Sequence, residues 1–448
     1  MNHRRGGAPC APRGGSFSPM NVPELAAAAK AASRTLAASS RETRDRALAA
    51  MEDGLRAAAA EIFAANEADV AQARADGLAA PLLARLGFGE KKLEGVLEGI
   101  RSLRALPDPL GAVSLRTELA PGLVLERVSC PIGVVGVVFE SRPDALVQIS
   151  SLCLASGNAC LLKGGREAAR TNRALFAAIR AATAEAGLPA DWIALLESRE
   201  DVEAMLACDR DIDLLIPRGS NAFVRHIQES TRIPVMGHSS GLCHLYLDAS
   251  ADPAMAAKIA VDAKTQAPST CNTVETLLVH RDAAAALLPP VCAALAAKGV
   301  ALRGDAESRA VVPSMDPATD ADWDEEYLDL VLSVRVVGSL EEAVAHVNAH
   351  GSHHTDAIVA EDRAAAERFI AAVDSADVFW NCSTRFADGF RFGLGAEVGI
   401  STGKLPPRGP VGLDGLCTCK WVLRGSGDTV GPFADGDRRF THKQLPLS

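Results

Sequence analysis

The chain has 448 residues, 48% of them hydrophobic and 23% charged, an ordinary globular composition that excludes general disorder and fits two or three domains. Lys plus Arg number 46 against 56 Asp plus Glu, a net charge of −10. Neither nucleic acid nor an anionic membrane has a broad electrostatic claim on such a chain, although a local basic pocket for a phosphorylated ligand stays open.

Eleven cysteines, odd in number and scattered, read as free thiols in a reducing compartment rather than as a disulfide framework. No run approaches the roughly 18 consecutive apolar residues that a spanning helix needs, so a cytoplasmic location is expected. Residues 1–20 carry Arg4, Arg5 and Arg13 among Gly, Pro and Ser. They lack the apolar core of a signal peptide and read as a disordered tail, with Met20 as an alternative start.

From Val22 to about Arg104 the pattern is helical, with Leu48, Met51 and Leu55 at three- to four-residue spacing and Ile62 and Phe63 further on. Thr117 to Val128, turning at Pro121-Gly122, reads as a hairpin or a pair of edge strands. Strands and helices then alternate from Pro131 to Leu247. The strands are Ile132–Phe139, Ala159–Leu162, Trp192–Leu196, Ile212–Ile216 and Pro234–Met236. A helix capped by Asp144 ends near Gly157, others run Asp201–Ala207 and Asn221–Glu229, and one carries Leu175, Phe176 and Ile179. A second alternating set, from about Pro253 to Trp380, has strands Glu275–Val279, Leu330–Val337, Ala357–Val359 and Val378–Trp380, and a helix Leu340–Ala349. Leu416–Leu423 is one more strand. The fold class is therefore α/β: two parallel-sheet units and a detached strand unit.

Chemistry is best sought in Gln266-Ala267-Pro268-Ser269-Thr270-Cys271-Asn272-Thr273, which joins a helix to a strand. A cysteine among small polar residues in such a connection suits a thiolate nucleophile with backbone N–H groups about it; the alternative is a partly buried structural cysteine. Lys163 follows a strand at the carboxyl edge where nucleotides bind in open parallel sheets, or is simply solvated. Gly219-Ser220 precedes a helix and suits either a pyrophosphate or an ordinary N-cap. Arg385 suits a carboxylate or an interdomain ion pair. His346 and His350, four apart on one helix face with His353 and His354 beyond, lack a cysteine or carboxylate set to complete a metal site, and no metal is expected.

Several strings in order carry a resemblance. They are Pro131-Ile132-Gly133-Val134-Val135-Gly136; Phe139-Glu140-Ser141-Arg142-Pro143-Asp144; Ser156-Gly157-Asn158 leading to Leu162-Lys163-Gly164-Gly165; Ile216-Pro217-Arg218-Gly219-Ser220-Asn221; the Cys271 segment; and the histidine-bearing stretch from Ala343 to Ile358. With Ile400-Ser401-Thr402 and Arg408-Gly409-Pro410 they resemble the aldehyde dehydrogenase superfamily and, within it, the γ-glutamyl phosphate reductase family. The resemblance implies an aldehyde-dehydrogenase-like fold: a Rossmann-like NADP-binding domain (21–112 and 131–258), a catalytic domain (259–405), and oligomerisation strands with a C-terminal tail (113–130 and 406–448).

It also implies roles. Cys271 would attack L-glutamyl 5-phosphate, and NADPH would reduce the thioester to L-glutamate 5-semialdehyde, in proline biosynthesis. The Cys271 N–H and Ser141 would hold the oxyanion, and Arg142 would meet the acyl phosphate unless it is a surface ion pair. Arg385 would take the α-carboxylate. Lys163 and Arg166 would hold the adenosine ribose and its 2′-phosphate, Gly219 and Ser220 the pyrophosphate, and Glu326 the nicotinamide ribose. A homo-oligomer, and contact with a glutamate 5-kinase that hands over the labile acyl phosphate, would follow. A hydrolytic aldehyde dehydrogenase and a non-catalytic scaffold of the same fold are the rivals. Where hydrolytic relatives carry a water-activating glutamate, this chain places His238.

Overall fold

The computed structural model describes residues 21–219, 221–237 and 240–447, so the expected tail at 1–20, Ser220 and His238 lie outside the described residues. Five helices fill 22–105. The first, Val22–Ala37, starts at a reciprocal cap between Asn21 and Glu24, and the second, Arg41–Ala57, buries Ala47, Leu48, Met51 and Leu55 at helical spacing. Arg44 of that helix is almost fully buried and makes a 2.6 Å ion pair with Asp108.

Seventeen strands form among the described residues. In chain order, β1 (Val113–Ala120) and β2 (Leu123–Pro131) make the expected hairpin, turning at Pro121-Gly122, where Gly122 takes a φ of 80° that suits glycine. Then come β3 (Val134–Phe139), β4 (Ala159–Lys163), β5 (Ile193–Leu196) and β6 (Leu214–Arg218), a parallel sheet in the order β5-β4-β3-β6. Every residue of β3 is buried, as a near-continuous apolar run in a helix-covered sheet should be. Four of the five helices of 22–105 share one hydrophobic core with this sheet, and the short one ending at Leu86 packs in a separate small cluster with Ala73 and Ala168.

Two details differ from the sequence expectation. The helix after β3 is Pro143–Ala155 with Arg142 at its N-cap, while Asp144 lies inside the first turn; proline's missing N–H and fixed φ suit the first helical position. The strand expected at Pro234–Met236 shrinks to a single parallel bridge, Leu215 with Val235. Leu215 exchanges hydrogen bonds with Pro234 and Met236. The next donor along β6 would be residue 217, a proline, so the ladder stops.

The second sheet comprises β7 (Cys243–Leu247), β8 (Val274–His280), β9 (Ala301–Gly304), β10 (Asp316–Pro317), β11 (Val331–Val337), β12 (Thr355–Val359) and β13 (Asp377–Trp380), all parallel, in the order β10-β9-β11-β8-β7-β12-β13. Its side chains alternate between two cores. Leu245, Leu247, Leu277 and Val279 face the helices Pro253–Thr265 and Arg281–Ala296, whereas Tyr246 and Leu278 face Leu340–His350 and Arg363–Ala372. A boundary at 258 does not fit this sheet, because β7 is hydrogen-bonded between β8 and β12. A buried parallel strand reads the same in either sheet, so chain order alone misplaces it.

A short antiparallel pair, β14 (Gly399–Ser401) and β15 (Gly409–Val411), follows. β16 (Cys417–Arg424) then pairs with β2 along its whole length, and β17 (Lys443–Gln444) pairs with β1. β17 has no sequence signal, being two residues long. Among the described residues, no helix is long and apolar enough to cross a membrane.

Candidate active site

The carboxyl ends of β3 and β6 and the connection into β8 open onto one cavity of about 700 Å³. Cys271 lies on its wall, partly exposed. The helix Pro253–Thr265 ends just before it, and the chain then winds through a polar knot. Thr273 N–H donates to Thr270 O at 2.9 Å, and the Thr270 and Thr273 hydroxyls both donate to Ala267 O, at 2.9 and 2.7 Å. Asn272 donates to Ala387 O at 2.8 Å. Arg385, buried behind this knot, donates to Gln266 Oε1 at 2.9 Å and to Thr270 Oγ1 at 2.6 Å.

The other side of Cys271 is main chain against main chain. A Cβ on Gly241 would lie 2.0 Å from Cys271 O and 2.4 Å from its Cα, so only glycine fits there. The Cys243 thiol donates to Cys271 O at 3.2 Å. Glu326 ties this wall to the first unit: one carboxylate oxygen accepts from Gly241 N–H, the other from Asn221 Nδ2, each at 2.9 Å.

Charge on the cavity wall is mixed. Arg142 and Arg218 both line it. Burial, then the nearby Arg142, pulls the Arg218 guanidinium below its ordinary pKa, while Glu397 and a charged Cys271 sulfur pull it back up. Arg385 likewise feels Cys271 after burial and Arg391 have lowered it. The guanidiniums of Arg218 and Arg385 thus both lie within electrostatic reach of the Cys271 sulfur. Glu140, also on the wall, is pushed up by burial and by Glu167, with Lys163 opposing.

Residues 15–314 match the aldehyde dehydrogenase family. The chain belongs to that family. It is 56% identical, over 95% of its length and 98% of the relative's, to the γ-glutamyl phosphate reductase of Pelotomaculum thermopropionicum. With the enzyme of that name from Acetivibrio thermocellus it shares 53%, over 96% of this chain and all of the other. The crystal structure of γ-glutamyl phosphate reductase from Thermotoga maritima superposes with a TM-score of 0.90 at 36% identity, covering 92% of this chain and 100% of that one. An acetylating aldehyde dehydrogenase from Geobacillus thermoglucosidasius, 16% identical with a TM-score of 0.62, covers 91% of this chain and 97% of its own, and shows the shared fold alone. The architecture is thus aldehyde-dehydrogenase-like, and family members use nicotinamide cofactors.

Of the residues singled out in the sequence, Cys271, Arg142, Gly219 and Glu326 meet at the cavity. Ser141 does not line it. Its N–H and hydroxyl both donate to Glu167 Oε1, at 2.7 and 2.6 Å, and its φ of 44° is the left-handed conformation that those two bonds hold in place. Burial works to raise the Glu167 carboxyl, but the Ser141 bonds prevail and hold it below its ordinary value. Ser141 therefore shapes the loop after β3 and is not placed to hold an oxyanion at Cys271. Arg385 braces the Cys271 knot from behind. Glu326 lines the cavity with both oxygens already engaged.

Lys163 ends β4 and Arg166 stands exposed on the short turn that follows. At Gly219 a Cβ would come within 2.9 Å of Phe223 and 3.2 Å of Glu140, so a side chain there would crowd both. Among the described residues no group of three or more His, Cys, Asp or Glu has metal-binding geometry. The sequence reading passed over Arg218, Gly241, Glu140 and Glu397. Arg218, at the end of a buried strand inside a quoted string, had a usable signal. Gly241 acquires meaning only when β7 is laid beside Cys271.

Proposed function

We propose that this chain reduces L-glutamyl 5-phosphate to L-glutamate 5-semialdehyde and phosphate with NADPH, through a thioester on Cys271, in L-proline biosynthesis. The observation that carries the reading is Cys271 on the wall of a cavity shared with Arg142 and Arg218, in a chain whose relatives of that name match nearly end to end. A thiolate at Cys271 attacks the acyl carbon, and the carbonyl π electrons move to oxygen. The tetrahedral centre collapses with loss of phosphate, leaving the acyl group on sulfur. A departing phosphate dianion is what two guanidinium forks neutralise well. Cys271 N–H is the remaining oxyanion donor once Ser141 is set aside.

A nicotinamide, when bound, would supply the hydride that reduces the acyl group, so that the Cys271 sulfur leaves as thiolate and aldehyde is released. The residues at the carboxyl edge of the first sheet suit the cofactor: Lys163 and Arg166 toward an adenosine 2′-phosphate, Gly219 toward the pyrophosphate. Lys163 carries the NADPH preference in this reading. Phosphate, not water, is the acyl acceptor in the reverse direction. Glu326, a carboxylate on the wall, has both oxygens held by Asn221 and Gly241 and is not free to activate water.

The test is the reverse reaction, semialdehyde plus NADP⁺ followed by absorbance, with and without phosphate or arsenate. Turnover should require one of the two anions. Steady turnover with neither would make the hydrolytic aldehyde dehydrogenase the better description.

A further inference from the structure

The histidine-bearing stretch from Ala343 to Ile358 is absorbed neither by the nucleophile nor by the cofactor edge, and it holds no metal-binding group. It nevertheless touches both segments that wall in Cys271.

One is the start of β7. Asp356 is fully buried, and one of its oxygens accepts from His244 N–H at 2.7 Å and from His244 Nδ1–H at 2.9 Å; its other oxygen accepts from the Ser375 hydroxyl. Ser352 Oγ accepts from Leu242 N–H at 2.9 Å, and Ser352 N–H donates to Leu242 O at 3.4 Å. Between and beside these anchored residues sit Cys243, whose thiol holds Cys271 O, and Gly241, which lies flat on the Cys271 backbone.

The other segment is the strap that carries Glu326. His350 Nδ1 lies 2.8 Å from Asp324 Oδ1, and buried His346 packs edge-on against Trp323 with ring centroids 5.7 Å apart. Burial, then His244, His350 and Arg335, pushes the His346 pKa down to about 2, so the ring packs as a neutral group. The two segments close on each other where Glu326 accepts from Gly241 N–H.

We propose that this segment is a positioning clamp for the nucleophile: Asp356 and Ser352 fix residues 241–244, His346 and His350 fix 323–326, and together they press the Cys271 main chain into one conformation. The proposal rests on Cys271 being the nucleophile. None of the four lines the cavity itself, so they are positioning residues.

Asp356→Ala, Asp356→Asn and Ser352→Ala in the full chain test it. Asparagine keeps an oxygen for the two His244 donors and turns its amide toward Ser375, whereas alanine leaves all three without an acceptor. Asp356→Ala should lower kcat at least about tenfold with the Michaelis constant for NADP⁺ within about twofold, the scale of one lost charge-assisted contact, and Asp356→Asn should restore most of it. The rate of Cys271 alkylation by iodoacetamide, mapped by peptide, should shift with kcat. A folded Asp356→Ala with wild-type kcat and alkylation rate overturns the clamp, as does an Asp356→Asn that is equally impaired. If Asp356→Ala does not fold, Ser352→Ala decides by the same two readouts. Wild-type protein without reductase turnover would sink the functional reading, while the alkylation comparison would still judge the clamp.

Discussion

A thiol carries the proposed chemistry and is small, so removing it separates catalysis from folding. Cys271→Ala should cut reduction at least about a thousandfold while leaving the melting temperature and NADPH binding nearly unchanged. In the wild type, Cys271 should be the thiol most readily alkylated at neutral pH. Burial raises the pKa of Cys130, Cys208 and Cys382, and of the deeply buried Cys243. Equal labelling of several cysteines would count against an activated nucleophile. Lys163→Ala should raise the Michaelis constant for NADPH about ten- to a hundredfold and that for NADH far less, the scale of one charge-assisted contact to a 2′-phosphate. Equal effects on both cofactors would move Lys163 off that phosphate. Cys271 and Lys163 are candidates chiefly through the family resemblance, since a lone cysteine or a lysine after a strand has an ordinary structural reading on local pattern alone. The partner of Ser141 is not legible in the sequence, because its hydroxyl bonds Glu167, 26 residues away in the chain.

Between elements, the helix Pro253–Thr265 is bound to β8 by a buried ion pair flanking the Cys271 connection. Lys264 Nζ lies 2.6 Å from Glu275 Oε2, both groups are almost wholly enclosed, and the other Glu275 oxygen accepts from Leu328 N–H at 3.3 Å. Burial outweighs mutual attraction at both ends: it pushes Glu275 up to about 7 and Lys264 below its ordinary value. Such a pair is costly to break and cheap to replace whole. Lys264→Met should therefore destabilise by about 3–5 kcal/mol, because it strands a carboxylate, and adding Glu275→Leu should recover most of the loss. Melting curves of the two variants decide it; a double variant no more stable than the single one would show that the pair contributes net attraction. Nothing in the sequence marks this pair, since a Lys and a Glu eleven residues apart look like two surface charges until helix and strand are packed.

Across the molecule, the arm formed by β16, β2, β1 and β17 ends in an edge strand. Trp421 and Leu423 on that edge are 57% and 54% exposed, which leaves two large apolar side chains uncovered on an edge strand. A second copy of the chain is the expected cover. Trp421→Glu with Leu423→Glu should reduce the mass seen by light scattering to that of one chain; an unchanged mass would remove the arm from any assembly. The hairpin was legible because Pro121-Gly122 separates two apolar-bearing runs, and β16 because it is long and apolar. Their pairing across nearly 300 residues of chain was not.

The sequence by itself determined the element types and the fold class, because the period of apolar residues and the turn residues between runs are local properties. It also placed the Cys271 segment between a helix and a strand, since a polar break between the two patterns is local too. Only the tertiary structure decided that β7 joins the second sheet, that Ser141 bonds Glu167, that Glu326 accepts from Gly241, and that Ser352 and Asp356 accept from Leu242 and His244. Each of these depends on which distant backbone comes within about 3 Å, the reach of a hydrogen bond, and no local pattern encodes that distance.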